Sequence, residues 1–376
     1  MNLLDVLLQL DMFLPEGLEG QWWISLIWIL PMFLFIFYGQ KLQMWMVLND
    51  VTKSMKKIKS MKENARKEAI GYAKSINTNM DPTERIDKFV EYFTILPVDM
   101  DPNGIIPKVQ HFMRVRDNRV KNEVKKLSPT MDALTVSKME NILEAATILN
   151  MIFKVVRHFY LMGKKSSSVF FLVQLQMIMP ILLQEAEALN KAVDAFKAGL
   201  PIGDGIGPMI VGKMMLNKEK KIIAKETVVC EDRYKERILY LMKAEGPAGN
   251  VGEPGTAVEK LINEMAVNIN SIIMIDAALK LEGEKTGDIA EGIGAAIGGI
   301  GVDRFQIEDI ATKHGIPVYA IIIKQSVLDA ITVMRKEIAE SFDKVNKSIF
   351  DVIENETKKG DVVLIIGVGN TLGVSQ

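Results

Sequence analysis

The hydrophobic pattern begins with a run in which no residue from Gln21 to Gln40 is charged. At about 20 residues such a run crosses the hydrocarbon layer as one helix. Trp22 and Trp23 stand at one end and Tyr38 at the other, where amphipathic rings favour the headgroup region. Pro31 lies inside the run, and a membrane helix tolerates such a proline. Residues 42 to about 75 continue as a helix with a basic face, suited either to anionic lipid or to plain solvent. After Asp81-Pro82 the segment TERIDKFVEYF starts an amphipathic helix. Helical periodicity returns at about 108–126, 132–163 and 166–199. The apolar stretch SSSVFFLVQLQMIMPILL in the last of these is short and dotted with glutamines. It reads as a core helix rather than a second span, with its methionines as packing.

After residue 200 glycine becomes frequent and β-branched runs appear. Strands are expected at Thr227–Cys230, Ile238–Lys243, Ser271–Asp276, Val318–Ile323 and Val362–Ile366. Helices are expected between them, at about 207–216, 255–268, 304–314, 325–340 and 340–359. This alternation predicts an α/β layer with a largely parallel sheet. The expected organisation is an extracytoplasmic N-terminus (1–20), a transmembrane helix (21–46), an all-α domain (47–199) and an α/β domain (200–376).

The flanks orient the expected span. Asp5, Asp11, Glu16 and Glu19 precede it, with no basic residue, whereas Lys41, Lys53, Lys56, Lys57 and Lys59 follow. The positive-inside rule places the long C-terminal part in the cytoplasm of a single-pass membrane protein. A cleaved signal peptide would need a basic start and a small-residue cleavage site, and neither is present. The net charge of -1 gives no electrostatic reason to expect nucleic acid as a partner. Cys230 is the one cysteine, so no disulfide forms within the chain. Three histidines are too few for a His-rich metal site built from this chain alone. No cofactor is assigned.

Several glycine-flanked segments carry candidate chemistry. Gly203-Asp204-Gly205-Ile206-Gly207-Pro208 leads into a helix, and Gly367-Val368-Gly369-Asn370-Thr371-Leu372-Gly373 follows an apolar strand. The second misses the spacing of a dinucleotide-binding turn, and Gly207–Met214 matches GxxxxGK but ends in Met where Ser or Thr is needed. Asp276 ends a strand, where ligands of parallel sheets bind, although a turn or helix-cap aspartate is the plainer reading. The loop Glu245–Thr256, with Gly249 and Gly252, is a candidate rim. The stretch Gly292–Gly301 is a candidate flap or a close-packed backbone.

Taken in order, these segments resemble the germination protease family of spore-forming bacteria and, more distantly, the hydrogenase maturation endopeptidases. The resemblance covers about residues 200–376. VVLIIGVGN (Val362–Asn370) matches the family's first strand and turn, and Asp204–Pro208 matches the acidic helix start that should follow it. The strand ending in Ile275-Asp276-Ala277-Ala278, then HGIPVYAI, then Val327-Leu328-Asp329-Ala330 keep the family order. A circular permutation that moves the first strand to the end accounts for the separation. The resemblance implies a phosphorylase/peptidase-like fold with a mixed, largely parallel sheet. It also implies that Asp204 and Asp276 form a catalytic pair beside a cleft bordered by Gly203, Gly205, Gly207, Gly249, Gly252, Gly367, Gly369, Asn370 and Asp329. In the hydrogenase enzymes the equivalent acidic positions, with a histidine, hold a metal. This chain has no histidine at the third position, and His314 reads as structural. Length and layout also resemble an archaeal membrane-anchored family of no assigned function.

The expected function is a membrane-anchored, cytoplasm-facing hydrolase of protein or peptide substrates. The alternative is an inactive scaffold or regulator on the same fold. Partners are the lipid bilayer and a peptide, with a homo-oligomer left open.

Overall fold

The computed structural model of the chain describes residues 22–77, 80–92, 105–127, 131–298 and 301–375, with side chains from residue 38 onward. The expected extracytoplasmic segment 1–20, and the side chains of the expected span up to Phe37, lie outside the described residues. The backbone there forms helix α1, which runs Trp22–Ile76 through Pro31 without a break. The expected boundary at residue 46 is therefore not a junction between elements. Four more helices follow: α2 (Thr83–Val90), α3 (Ile105–Lys125), α4 (Ala133–Ser166) and α5 (Val169–Ala198).

The residues group into two compact units. One comprises α1 as far as Met55 together with Val155–Pro180, the turn end of the α4–α5 hairpin. Its interior is formed by Val47, Val51, Val156, Leu172, Leu175 and Met179, all buried. The other comprises Lys56–Lys154 and Ile181–Gln376.

Helix α5 corrects the sequence reading. It is long and apolar enough to cross a membrane by length and composition. It is not a core helix, because Phe170 (68% exposed) and Met177 (74%) face outward, as do Phe171, Ile178 and Ile181. Apolar residues occupy both sides of this helix, so composition alone did not show which side would be covered.

The second unit contains the α/β domain. Its elements, in order, are a 3-10 turn (Gly203–Gly205), α6 (Ile206–Met214), β1 (Lys221–Ala224), β2 (Thr227–Tyr234), β3 (Arg237–Ala244) and α7 (Pro254–Glu259). Then come β4 (Ser271–Leu279), β5 (Ile289–Ile293), α8 (Val302–His314) and β6 (Val318–Gln325). The chain closes with α9 (Val327–Ile331), α10 (Lys336–Ala339), α11 (Phe342–Glu356) and β7 (Val362–Gly367). The seven strands form one sheet in the order β1-β2-β3-β7-β4-β6-β5. The central pairings β3-β7, β7-β4 and β4-β6 are parallel, and the outer pairings β1-β2, β2-β3 and β5-β6 are antiparallel. The sheet is thus mixed, parallel only in the middle.

Period-two alternation distributes the central strands over two cores. Val363 and Ile365 of β7, with Ile273 and Ile275 of β4, pack with α6 and α11 on one face. Leu364 and Ile366, with Ile272 and Met274, pack with α7 and α8 on the other. Central parallel strands buried on both faces read as continuous apolar runs, which is why they were legible. Ile365 is fully buried. Ile365→Ala is expected to cost about 3 kcal/mol from lost contacts and the cavity left behind, measured by urea unfolding of the solubilised chain.

Candidate functional site

Register positions the first acid. The last residue of β7, Gly367, pairs with Ile275 of β4. Beyond that point β4 continues to Leu279 against β6 alone. Asp276 is therefore the first β4 residue past the carboxyl end of β7, on the face that carries Ile272 and Met274. It is not a strand terminus or a helix cap, because continued pairing with β6 holds it in extended backbone. The carboxyl ends of parallel strands are where ligands of open α/β sheets bind.

The second acid arrives through the C-terminal tail. Asp204 lies in the 3-10 turn before α6. Its Oδ2 accepts the Asn370 N–H at 2.8 Å. The tail after β7 folds back over this turn. The Val368 N–H donates to Ile275 O at 2.8 Å, the Thr371 N–H to Asn250 O at 2.9 Å and the Gly373 N–H to Pro247 O at 3.1 Å. Gly369 has φ +132°, and a Cβ there would lie 2.0 Å from the Asp204 carbonyl oxygen. Only glycine lets the tail approach so closely.

Asp204 and Asp276 line one cleft of about 360 Å³. Val251, Gly252, Glu253 and Pro254 form part of its rim, as do Ile297, Gly298 and Gly301 of the glycine-rich stretch. Helix α3 supplies Gln110, Met113, Arg114 and Asp117. Arg114 donates to both Glu253 carboxylate oxygens, at 3.0 and 2.5 Å. The Gly255 N–H donates to Asp303 Oδ1, also at the cleft, at 2.9 Å. The contribution of α3 and of Asp303 was not anticipated. A single sequence carries no signal for which surface helix comes to lie over a sheet end.

Burial governs the electrostatics. Asp276 is 5% exposed. Burial, followed by the charge of Asp204, pushes the Asp276 carboxyl up to about 8, against the opposing N–H groups of Ala277 and Gly298. Burial also raises Asp204, and the Asn370 N–H acts the other way by favouring its ionised form. Asp117 and Asp303 are raised chiefly by burial as well. Two carboxyls in one dry cleft, where the charge of Asp204 raises Asp276, can share a proton between a base and an acid.

The remaining sequence candidates separate into groups. Gly252 and Gly369 line the cleft. Gly205, Gly207 and Gly367 lie in the close-packed backbone beneath it, beside Asn370, Val368 and one another. The Gly249 N–H donates to Ser137 Oγ at 2.8 Å, tying the rim loop to α4. Gly203 packs on the backbone of Asp329. Asp329 itself completes a capping box with Ser326 at the start of α9 and accepts from Thr286 Oγ1 at 2.9 Å. That caps a helix and does not line the cleft. The GxxxxGK lookalike is part of α6, and Lys213 Nζ lies 3.7 Å from the Phe342 ring centre. His314 is exposed at the end of α8. Among the described residues no group of three or more His, Cys, Asp or Glu side chains is placed to hold a metal ion.

Family models match both halves of the chain. Residues 25–199 match the model described as "Protein of unknown function (DUF1512) N-terminal domain". Residues 202–375 match "Domain of unknown function (DUF1512) C-terminal". No curated protein and no solved structure matches the chain.

Proposed function

The chain belongs to the DUF1512 family, and within it we propose a membrane-anchored, cytoplasm-facing peptidase-like hydrolase that works through Asp204 and Asp276. The observation that carries this reading is the convergence of the two carboxyls on one cleft, where the charge of one raises the proton affinity of the other. Asp204, supported by the Asn370 N–H, ionises first and takes the proton of an attacking water. Asp276, protonated below about pH 8, donates its proton to the carbonyl oxygen; as the tetrahedral diol collapses it takes that proton back, while Asp204 passes the proton drawn from water to the leaving amine.

The reading carries over the likeness to the germination protease as a permuted fold. In that reading β7, which lies between β3 and β4, takes the part of the family's first strand. The proposed anchor is the span 21–46. Its support is the uncharged run Gln21–Gln40, the continuous helix from Trp22, and the lysines that follow.

The test compares cleavage of membrane-fraction proteins by the wild type, Asp276→Asn and Asp204→Asn. Loss of cleavage in both variants, with folding retained, is the expected result. Identical fragment patterns in all three would remove the pair from catalysis and favour a binding protein on the same fold.

A further inference from the structure

We infer that the turn end of the α4–α5 hairpin seats on the anionic leaflet from which α1 emerges, with Phe170 and Phe171 in the headgroup region and Lys164 and Lys165 on lipid phosphates. The inference rests on the proposed N-terminal anchor. Geometry within the first unit carries it. Gln176 Nε2 donates to Asp50 Oδ2 at 3.0 Å, and Thr52 Oγ1 donates to the Tyr160 hydroxyl at 3.2 Å. These bonds level the two arms of the hairpin against one stretch of α1. All three helices leave the unit at the end away from the hairpin turn, α1 after Met55 and α5 after Pro180. The turn therefore lies toward the N-terminal half of α1.

The axial rise of a helix then sets the depth. Phe170 precedes Gln176 by six residues, or about 9 Å at 1.5 Å per residue. The same distance back from Asp50 reaches Met44. Trp45, 64% exposed, is at that level. The uncharged run ends only about 6 Å further, at Gln40. If Gln21–Gln40 fills the hydrocarbon, the hairpin turn falls in the headgroup layer, which is roughly 5–8 Å deep on each side.

Surface chemistry identifies lipid as the occupant. Phe170 and Phe171 are exposed at the turn end of α5, next to its buried Leu172. At the same level α1 exposes Leu42, Trp45 and Met46 beside buried Val47. Two helices of the unit thus turn apolar side chains outward at one depth. A second copy of the chain would cover one side, whereas a headgroup layer meets both helices at that depth. Charge agrees. From Ala145 to Gln184 there is no Asp or Glu, while Lys164 and Lys165, beside the turn, are exposed. A basic cluster next to exposed aromatics is the pattern that anionic lipid attracts.

The experiment uses the full chain with Cys230→Ser, reconstituted in liposomes of phosphatidylcholine with or without 30% phosphatidylglycerol. A polarity-sensitive fluorophore is attached at Phe170→Cys, at Ile29→Cys or at the exposed control Leu279→Cys, and quenched with spin-labelled lipids. The expected result is quenching of Ile29→Cys by deep labels and of Phe170→Cys by shallow labels, none at Leu279→Cys, and several-fold weaker quenching at Phe170→Cys without phosphatidylglycerol or with Lys164→Glu/Lys165→Glu. Quenching at Ile29→Cys without any at Phe170→Cys overturns the hairpin docking and leaves the anchor standing. An unquenched Ile29→Cys overturns the anchor, and the shared leaflet with it. A fluorophore at Phe170→Cys that is shielded only at high protein-to-lipid ratio, without lipid quenching, assigns the surface to a second copy.

Discussion

Gly369→Ala is expected to destabilise the α/β domain by more than about 4 kcal/mol, beyond the usual range for a single substitution. A Cβ at this position would sit 2.0 Å from Asp204 O, 3.0 Å from its carbonyl carbon and 3.3 Å from Pro208 Cδ. The neighbours cannot give way cheaply, because backbone bonds pin both sides. The Asn370 N–H holds the Asp204 carboxylate, and the Val368 N–H holds Ile275 of β4. The φ of +132° adds strain for any L side chain. Gly298 provides the control. It lines the same cleft, yet a Cβ there meets nothing within 4 Å. Gly298→Ala should therefore stay within about 1 kcal/mol of wild type. Urea unfolding of both variants in one detergent decides the matter. Equal midpoints would mean that the tail is not held against the Asp204 turn.

The contrast between these glycines shows what could be read from residues alone. The five strand candidates between Thr227 and Ile366 correspond to β2, β3, β4, β6 and β7, because buried β-branched runs announce themselves. The edge strands β1 and β5 were not seen. Both are short, and burial along Lys221–Ala224 and Ile289–Ile293 is partial, so neither carries a strong apolar run. The expected helix at 325–340 is two short helices, since Ser326 and Asp329 cap α9 and the chain turns again before α10. At the site, Asp204 and Asp276 were chosen from motif order, and their meeting depends on a fact that no local pattern contains. The strand nearest the C-terminus lies at the centre of the sheet, so its tail reaches a turn 166 residues earlier in the chain. Asp329 was chosen by the same reasoning. It shows the weakness of motif order, because an aspartate three residues after a serine is also a helix cap.

The wild type should lose stability relative to Asp276→Asn as the pH rises from about 4 to about 8. The sign follows from the raised carboxyl. Asp276 titrates near 8 in the folded chain, against an ordinary value of about 3.9 when unfolded. The folded state thus binds its proton more tightly. The stabilising contribution of the protonated acid is fully present below pH 4 and is lost as pH climbs through the folded value. Between those limits the difference in unfolding free energy between wild type and Asp276→Asn should fall by up to about 1.4 kcal/mol per pH unit, and it should be flat outside them. Asp204→Asn discriminates the cause. Part of the rise comes from the charge of Asp204, so removing that charge should move the upper limit of the window downward. The part due to burial should remain. Urea unfolding at half-unit pH steps reads both limits. An upper limit that stays fixed in Asp204→Asn would show that the two carboxyls do not sense each other, and the shared proton on which the proposed hydrolysis depends would have no physical basis.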